Sequence, residues 1–361
     1  MHHVLRNILL NPGPATTSQS VKEALVVPDI CPREEEFGNL LTSIMNGVLQ
    51  IGKTGDEYAI SLFAASGTGA VEAMLTSAIG KNHKVLIITN GAYGFRIEAI
   101  CKAYNLPYET TCEFGDYPDI NKIGKILSVG SFSHLAMVHH ETSTGMMNPL
   151  EEISSICRSH GVKLMVDAMS SFGGYPINLM ESGIHYLVAS SNKCIHGMAG
   201  LSFVIFHESC KQELAENSSN FYFNVLAQWK NLTTKSQTRF TPPVQVCYAF
   251  NKAIQETLKE TVEVRWGRYQ QNWQIMYDGL KELGFEVFLP LEQQSKILLA
   301  IKLEGQLLNG FDHFHDYLFE RNITIYPGII PETKTFRMAV IGDLDTGDLE
   351  YVIEVMKEYF S

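Results

Sequence analysis

Three short stretches of this chain carry side chains that could do chemistry together. In Ala65-Ser66-Gly67-Thr68-Gly69-Ala70-Val71-Glu72 small residues join an expected strand to an expected helix. Unpaired N–H groups at a helix start, aided by the helix dipole and by the hydroxyls of Ser66 and Thr68, would bind phosphate oxygens. An ordinary turn and N-cap has the same composition, and neither a full GxGxxG nor a P-loop GKS/T is present, which argues against dinucleotide and nucleoside-triphosphate binding. The apolar run Val162-Lys163-Leu164-Met165-Val166 ends at Asp167, on the strand edge where open α/β sheets gather their ligands. Alone, that acid could simply cap a following helix. Lys193, in Ser190-Ser191-Asn192-Lys193, lies between an apolar strand and the turn Gly197-Met198-Ala199-Gly200. Such surroundings desolvate an amine and favour its neutral, nucleophilic form. A lysine met singly is more often a surface residue.

A phosphate cradle, a carboxylate for a ring nitrogen and a lysine for an aldehyde are the three anchors that pyridoxal phosphate requires. The elements that must position them form an alternation. Strand candidates Ile60 to Ala64, Lys84 to Thr89, His134 to His139, Lys163 to Val166, Tyr186 to Ser190 and Leu201 to Phe206 are separated by helical stretches at Ala70 to Ile79, Phe95 to Tyr104 and Leu150 to His160. Such a pattern predicts a mainly parallel sheet covered by helices. After Thr241-Pro242-Pro243 a long helical region, Val244 to Leu283, leads to strand candidates at Lys296 to Ile301, Ile323 to Tyr326 and Thr335 to Val340, with helices near Phe311 to Arg321 and Gly347 to Tyr359. The expected organisation is an α/β chain with an N-terminal segment (1–20) packing on the small domain, a large α/β domain (21–255) and a small α+β C-terminal domain (256–361).

Composition limits the partners. The 361 residues, 45% of them hydrophobic, allow two domains with sizeable cores. A net charge of −11 argues against a nucleic-acid surface, so an anionic substrate must be met by a few placed cations. Seven scattered cysteines without a CxxC pair read as reduced thiols of a cytoplasmic protein. No apolar run suggests a membrane helix, and no signal peptide is evident. His139-His140 and the Phe311-Asp312-His313-Phe314-His315 stretch read as structural or surface histidines, and no metal is expected.

The order of the three anchors resembles that of fold-type I pyridoxal-phosphate enzymes, and among them the class V aminotransferases. The resemblance is closer to the 2-aminoethylphosphonate:pyruvate transaminase family and runs from Leu9-Leu10-Asn11-Pro12-Gly13-Pro14 nearly to the C-terminus. It rests on Asn90-Gly91-Ala92-Tyr93-Gly94, on Glu141-Thr142 with Thr144-Gly145-Met146, on Arg239-Phe240-Thr241 and on Tyr326-Pro327-Gly328. The most diagnostic motifs are Val166-Asp167-Ala168-Met169-Ser170-Ser171-Phe172-Gly173-Gly174 and Asn192-Lys193-Cys194-Ile195. The resemblance implies Lys193 as the Schiff-base lysine and Asp167 as the partner of the pyridine nitrogen. It further implies Ser66, Gly67 and Thr68 at the phosphate, Tyr93 stacked on the ring, Thr142 near the ring phenolate and Asn192 as the polar residue before the lysine. Thr241 would reach the phosphate of a neighbouring subunit, hence a homodimer, and Arg337 would pair with the acidic group of the substrate. The implied reaction moves the amino group of 2-aminoethylphosphonate to pyruvate. The alternatives are an alanine–glyoxylate or serine–pyruvate type aminotransferase, or a phosphate-binding relative without activity. His196 stands where relatives carry glutamine, Ala65 and Gly69 depart within the phosphate turn, and Arg96 reads as structural.

Overall fold

A computed structural model describes residues 7–305 and 307–361. The first six residues of the expected N-terminal segment lie outside the described residues.

Seven strands form the central sheet: β1 (Tyr58–Phe63), β2 (Val85–Ile88), β3 (Tyr108–Thr111), β4 (His134–Val138), β5 (Lys163–Asp167), β6 (Ile184–Ser190) and β7 (Ser202–His207), in the order β1-β7-β6-β5-β4-β2-β3. From β6 to β3 all neighbours are parallel, whereas β7 runs antiparallel to both β6 and β1. Alternate residues feed opposite faces. Leu86, Ile88, Leu135, Met137, Leu164 and Val166 join one core, while Val85, Ile87, Ala136, Val138 and Met165 join the other. This two-sided burial explains why the strands read as continuous apolar runs rather than as alternating patterns.

Two features depart from the sequence reading and a third refines it. The helix Glu35–Ile51 was not anticipated, yet it buries Phe37, Leu41, Ile44 and Val48 against the first core. β3 escaped notice because it is an edge strand of sequence Tyr-Glu-Thr-Thr with both Glu109 and Thr110 exposed. The region 244–283 is two helices, Val244–Glu260 and Val262–Glu282, broken at Thr261. Thr261 adopts φ 69°, which a helix cannot continue through, and its side chain accepts a hydrogen bond from Val264 N at 3.3 Å to start the second helix.

A third core gathers Trp273, Met276, Leu299, Phe314, Phe336 and Val352 around the antiparallel pair Leu298–Lys302 and Thr335–Ala339. Ile8 and Leu10 enter the same core. Strand Ile8–Leu9 pairs in parallel with Ile323–Thr324, and Ala339 N donates to Leu10 O at 2.6 Å. The chain then crosses to the central sheet, where Ala15 N donates to Asn192 O at 3.0 Å. Among the described residues no helix is long and apolar enough to cross a membrane.

Candidate active site

Strand register brings the three motifs to one edge. Phe63, which closes β1, lies opposite Ser202, and Ser202 lies opposite Ser190, three residues before Lys193. Across the parallel strands Val138 lies opposite Asp167, and Asp167 opposite Val188. The residues that follow these strand ends therefore share one rim.

The cradle is the start of helix Gly67–Ala78. Ser66 is its N-cap with extended backbone, and its exposed side chain makes no capping bond, which leaves the hydroxyl available to a ligand. Gly67 is closely packed, since a Cβ there would stand 2.3 Å from Met169 Sδ and the Met169 side chain would have to shift. The cradle is thereby walled by the segment that follows Asp167. Arg96 completes it. Its Nη1 lies 3.4 Å from Thr68 Oγ1 and its guanidinium 4.6 Å from the centre of the Tyr93 ring. From sequence Arg96 reads as structural. Its place three residues after Tyr93 on helix Ala92–Ala103, hence on the same helix face, was the signal that could have found it.

Asp167 is buried, and its Oδ1 accepts one hydrogen bond from Met169 N at 2.9 Å. Burial pushes its carboxyl up to about 6, with the Glu141 charge acting in the same direction and Arg96 and Lys193 opposing. Burial likewise pushes the Lys193 amine down to about 8; Arg337 and Arg96 add to this and Cys194 and Asp167 oppose it. Lys193 Nζ donates to Pro12 O at 2.7 Å. The N-terminal segment lies so close that a Cβ on Gly13 would sit 2.2 Å from Lys193 Cδ, and Gly13 has φ 129° besides.

Tyr93 and the buried Thr142 are joined by a residue not singled out from sequence. Glu141, fully buried, accepts from Tyr93 N at 3.1 Å, Gly94 N at 3.2 Å, Ser143 N at 3.1 Å and Ser143 Oγ at 2.6 Å. It caps the helix that carries Tyr93. Asn192 contributes its main-chain carbonyl to Ala15. Arg337 lies on strand Thr335–Ala339 with its guanidinium 5.2 Å from the Tyr326 ring centre, and its Nε is buried with no partner. Burial lowers its pKa against the favourable influence of Tyr93, Tyr326 and Glu141. The Tyr326 hydroxyl donates to Gly13 O, so Arg337, Tyr326 and the strap over Lys193 form one wall. Thr241 stands apart, exposed in the loop before Val244–Glu260 and hydrogen-bonded to none of these groups.

His139 and His140 are buried, and His140 Nε2 has no partner. His139 Nδ1 meets Ser171 Oγ at 3.0 Å and His140 Nδ1 meets Ser170 O at 3.3 Å; burial pushes them down to about 3 and about 4, so both are neutral near pH 7. His196 pairs through Nε2 with the Tyr269 hydroxyl. Among the described residues no group of three or more His, Cys, Asp or Glu side chains is placed to hold a metal ion. A cradle that a Cβ would fill, a buried carboxylate with one donor, a desolvated lysine and a half-buried guanidinium whose Nε has no partner together fit a phosphorylated aldehyde cofactor and an acidic substrate.

Comparison with known proteins agrees with this geometry. The model of the family "Aminotransferase class-V" matches residues 31–328. A 2-aminoethylphosphonate–pyruvate transaminase of Phocaeicola vulgatus is 37% identical over 356 residues, covering 97% of this chain and 98% of its own. One of Bacteroides fragilis is 36% identical over 359 residues, covering 97% and 98%. Among solved structures, the alanine–glyoxylate aminotransferase of Nostoc sp. superposes with a TM-score of 0.92 at 24% identity, covering 99% of this chain and 96% of its own, which is a likeness of fold.

Proposed function

The chain belongs to the class V aminotransferases, and from that premise we propose that it moves the amino group of 2-aminoethylphosphonate to pyruvate, giving phosphonoacetaldehyde and L-alanine reversibly. The observation that carries the substrate assignment is Arg337. A permanently charged, half-buried fork whose buried Nε has no partner calls for an anion, and phosphonate or carboxylate oxygens supply two parallel acceptors.

The chemistry supplied by bound pyridoxal phosphate is an aldehyde that takes up the amino group and a ring that withdraws the electron pair left on the substrate carbon. Ser66, Gly67 and Thr68, with Arg96 beside them, hold the phosphate. Asp167 is ionised above about pH 6 and pairs with the protonated ring nitrogen. Tyr93 would stack on the ring, and Thr142 and Asn192 would offer it polar contacts. Lys193, poised near pH 8, would take the proton from the amino-bearing carbon at Nζ and deliver it to the carbon that had been the aldehyde, so that the amino group stays behind on the cofactor. The exposed Thr241 reaches the phosphate held by a second copy, so the working form is a homodimer. Free thiols at all seven cysteines support a cytoplasmic setting.

The deciding experiment is alanine formation from 2-aminoethylphosphonate and pyruvate, beside alanine or serine as donor with glyoxylate. Turnover with the phosphonate, with KM for it raised about 10- to 100-fold in Arg337→Lys, supports the reading. Turnover confined to the amino-acid donors overturns the substrate assignment.

A further inference from the structure

Behind the lysine lies a partly buried ionic cluster, with Arg265 at its buried end, that the reaction itself does not use. Glu260 ends helix Val244–Glu260, and Arg265 and Arg268 lie three apart on helix Val262–Glu282. Each oxygen of the carboxylate takes one guanidinium: Arg265 Nε donates to Oε2 at 2.7 Å and Arg268 Nε to Oε1 at 2.8 Å. Burial works against this carboxylate, yet its bonds with Arg268 and Arg265 hold it below the usual range. The free ends of the two forks grip different parts of the molecule. Arg265 Nη1 donates to Cys194 O at 2.6 Å, the carbonyl next to Lys193, and to Thr257 Oγ1 at 2.9 Å. Arg268 Nη1 donates to Gly342 O and Leu344 O, both at 2.9 Å, in the loop that follows the strand carrying Arg337.

One carboxylate thus connects the two ends of the substrate site. From Lys193 the path runs through Cys194 O, Arg265, Glu260, Arg268 and Gly342 O to the strand of Arg337. Planar forks held at both ends transmit position well, because neither guanidinium can turn without losing a charge-assisted bond. The Arg265 side chain is only 2% exposed, so a broken bond there is not replaced by water. The chemistry reacts at the amine end while Arg337 holds the acidic end, so the Lys193-to-Arg337 separation decides which substrate length fits.

We propose that Glu260 is a positioning residue that fixes this separation and so makes the enzyme select among aminoalkylphosphonates by chain length. The inference rests on the substrate class proposed above. Its test uses cofactor-loaded, full-length Glu260→Gln and Arg268→Lys variants, with aminomethyl-, 2-aminoethyl- and 3-aminopropylphosphonate as donors, and hydrogen exchange of segments 192–197 and 340–345 as a readout independent of activity. In Glu260→Gln the amide nitrogen faces one guanidinium, whose bond is lost, and the amide oxygen faces the other without the negative charge that strengthened its bond, so both grips loosen. One methylene is worth about 10- to 200-fold in a well-fitted site, and the preference for two carbons over three should fall by about tenfold. Exchange should rise in both segments. Arg268→Lys keeps the charge and the Lys193 grip; it should raise KM with kcat nearly unchanged and speed exchange only in 340–345, and it carries the test if Glu260→Gln does not fold. A length preference unchanged, or activity lowered by one factor for all donors, overturns the proposal. Wild-type protein inactive on every aminophosphonate refutes the substrate reading instead; the clamp is then judged on exchange, a joint rise in Glu260→Gln upholding it and a rise in one segment alone overturning it.

Discussion

Strand β5 has a charged residue at each end, and the two ends show opposite treatments of a nearby buried carboxylate. At its start Lys163 meets Glu213, which also takes hydrogen bonds from the Tyr186 hydroxyl and from His134 Nε2 at 3.4 Å. Burial opposes ionisation there, but His134, Lys163 and Tyr186 together hold Glu213 down to about 2. At its end Asp167 receives one main-chain donor, lies near a second buried acid, and is pushed up to about 6. The same sheet therefore answers a buried charge completely on one edge and leaves it short on the other. The deficient edge is the C-terminal one, where ligands of open α/β sheets bind, and a perturbed charge there marks where a ligand must complete the set.

The sharpest way to break the contrast is Lys193→Ala, which should remove alanine formation entirely while moving the thermal midpoint little, because the bond its amine makes is to the Pro12 carbonyl of the overlying strap. Asp167→Asn comes next. It should lower kcat by about 10²- to 10³-fold through loss of electrostatic stabilisation, yet leave thermal stability equal or higher, since a buried charge is removed and the amide oxygen can still accept from Met169 N. Glu213→Gln should do the reverse, with kcat nearly unchanged and unfolding free energy in urea reduced by about 1–3 kcal/mol. Its pH signature has a definite sign. With a folded pKa of about 2 against 4.5, Glu213 contributes fully above pH 4.5 and loses its contribution as pH falls through about 2, and Glu213→Gln should flatten that limb. The smallest effect concerns the lysine alone. Cofactor-free protein should capture pyridoxal phosphate faster as pH rises, by about tenfold per unit up to about pH 8, and level off there; a midpoint near 10.5 would show that Lys193 is not desolvated.

Much of the site was legible in the sequence because its anchors are local events. Asp167 and Lys193 each follow an apolar run, and Ser66 and Thr68 flank a glycine where a strand gives way to a helix. The central strands announced themselves since burial on both faces leaves no polar positions, whereas β3 stayed hidden because its exposed edge reads as loop. Helix Glu35–Ile51 was passed over although its apolar residues recur at helical spacing.

By itself the sequence determined which groups could hold a phosphorylated aldehyde and on which kind of sheet edge they would stand. Only the tertiary structure decided their protonation and their neighbours: Pro12 against Lys193 across 181 positions, Glu141 under Tyr93, Arg96 at the cradle, and one Glu260 carboxylate between the lysine loop and the strand of Arg337. The reason is physical. Strand ends and helix starts are set by neighbouring residues, while desolvation and hydrogen-bond partners are sums over every segment that folding brings within a few ångströms.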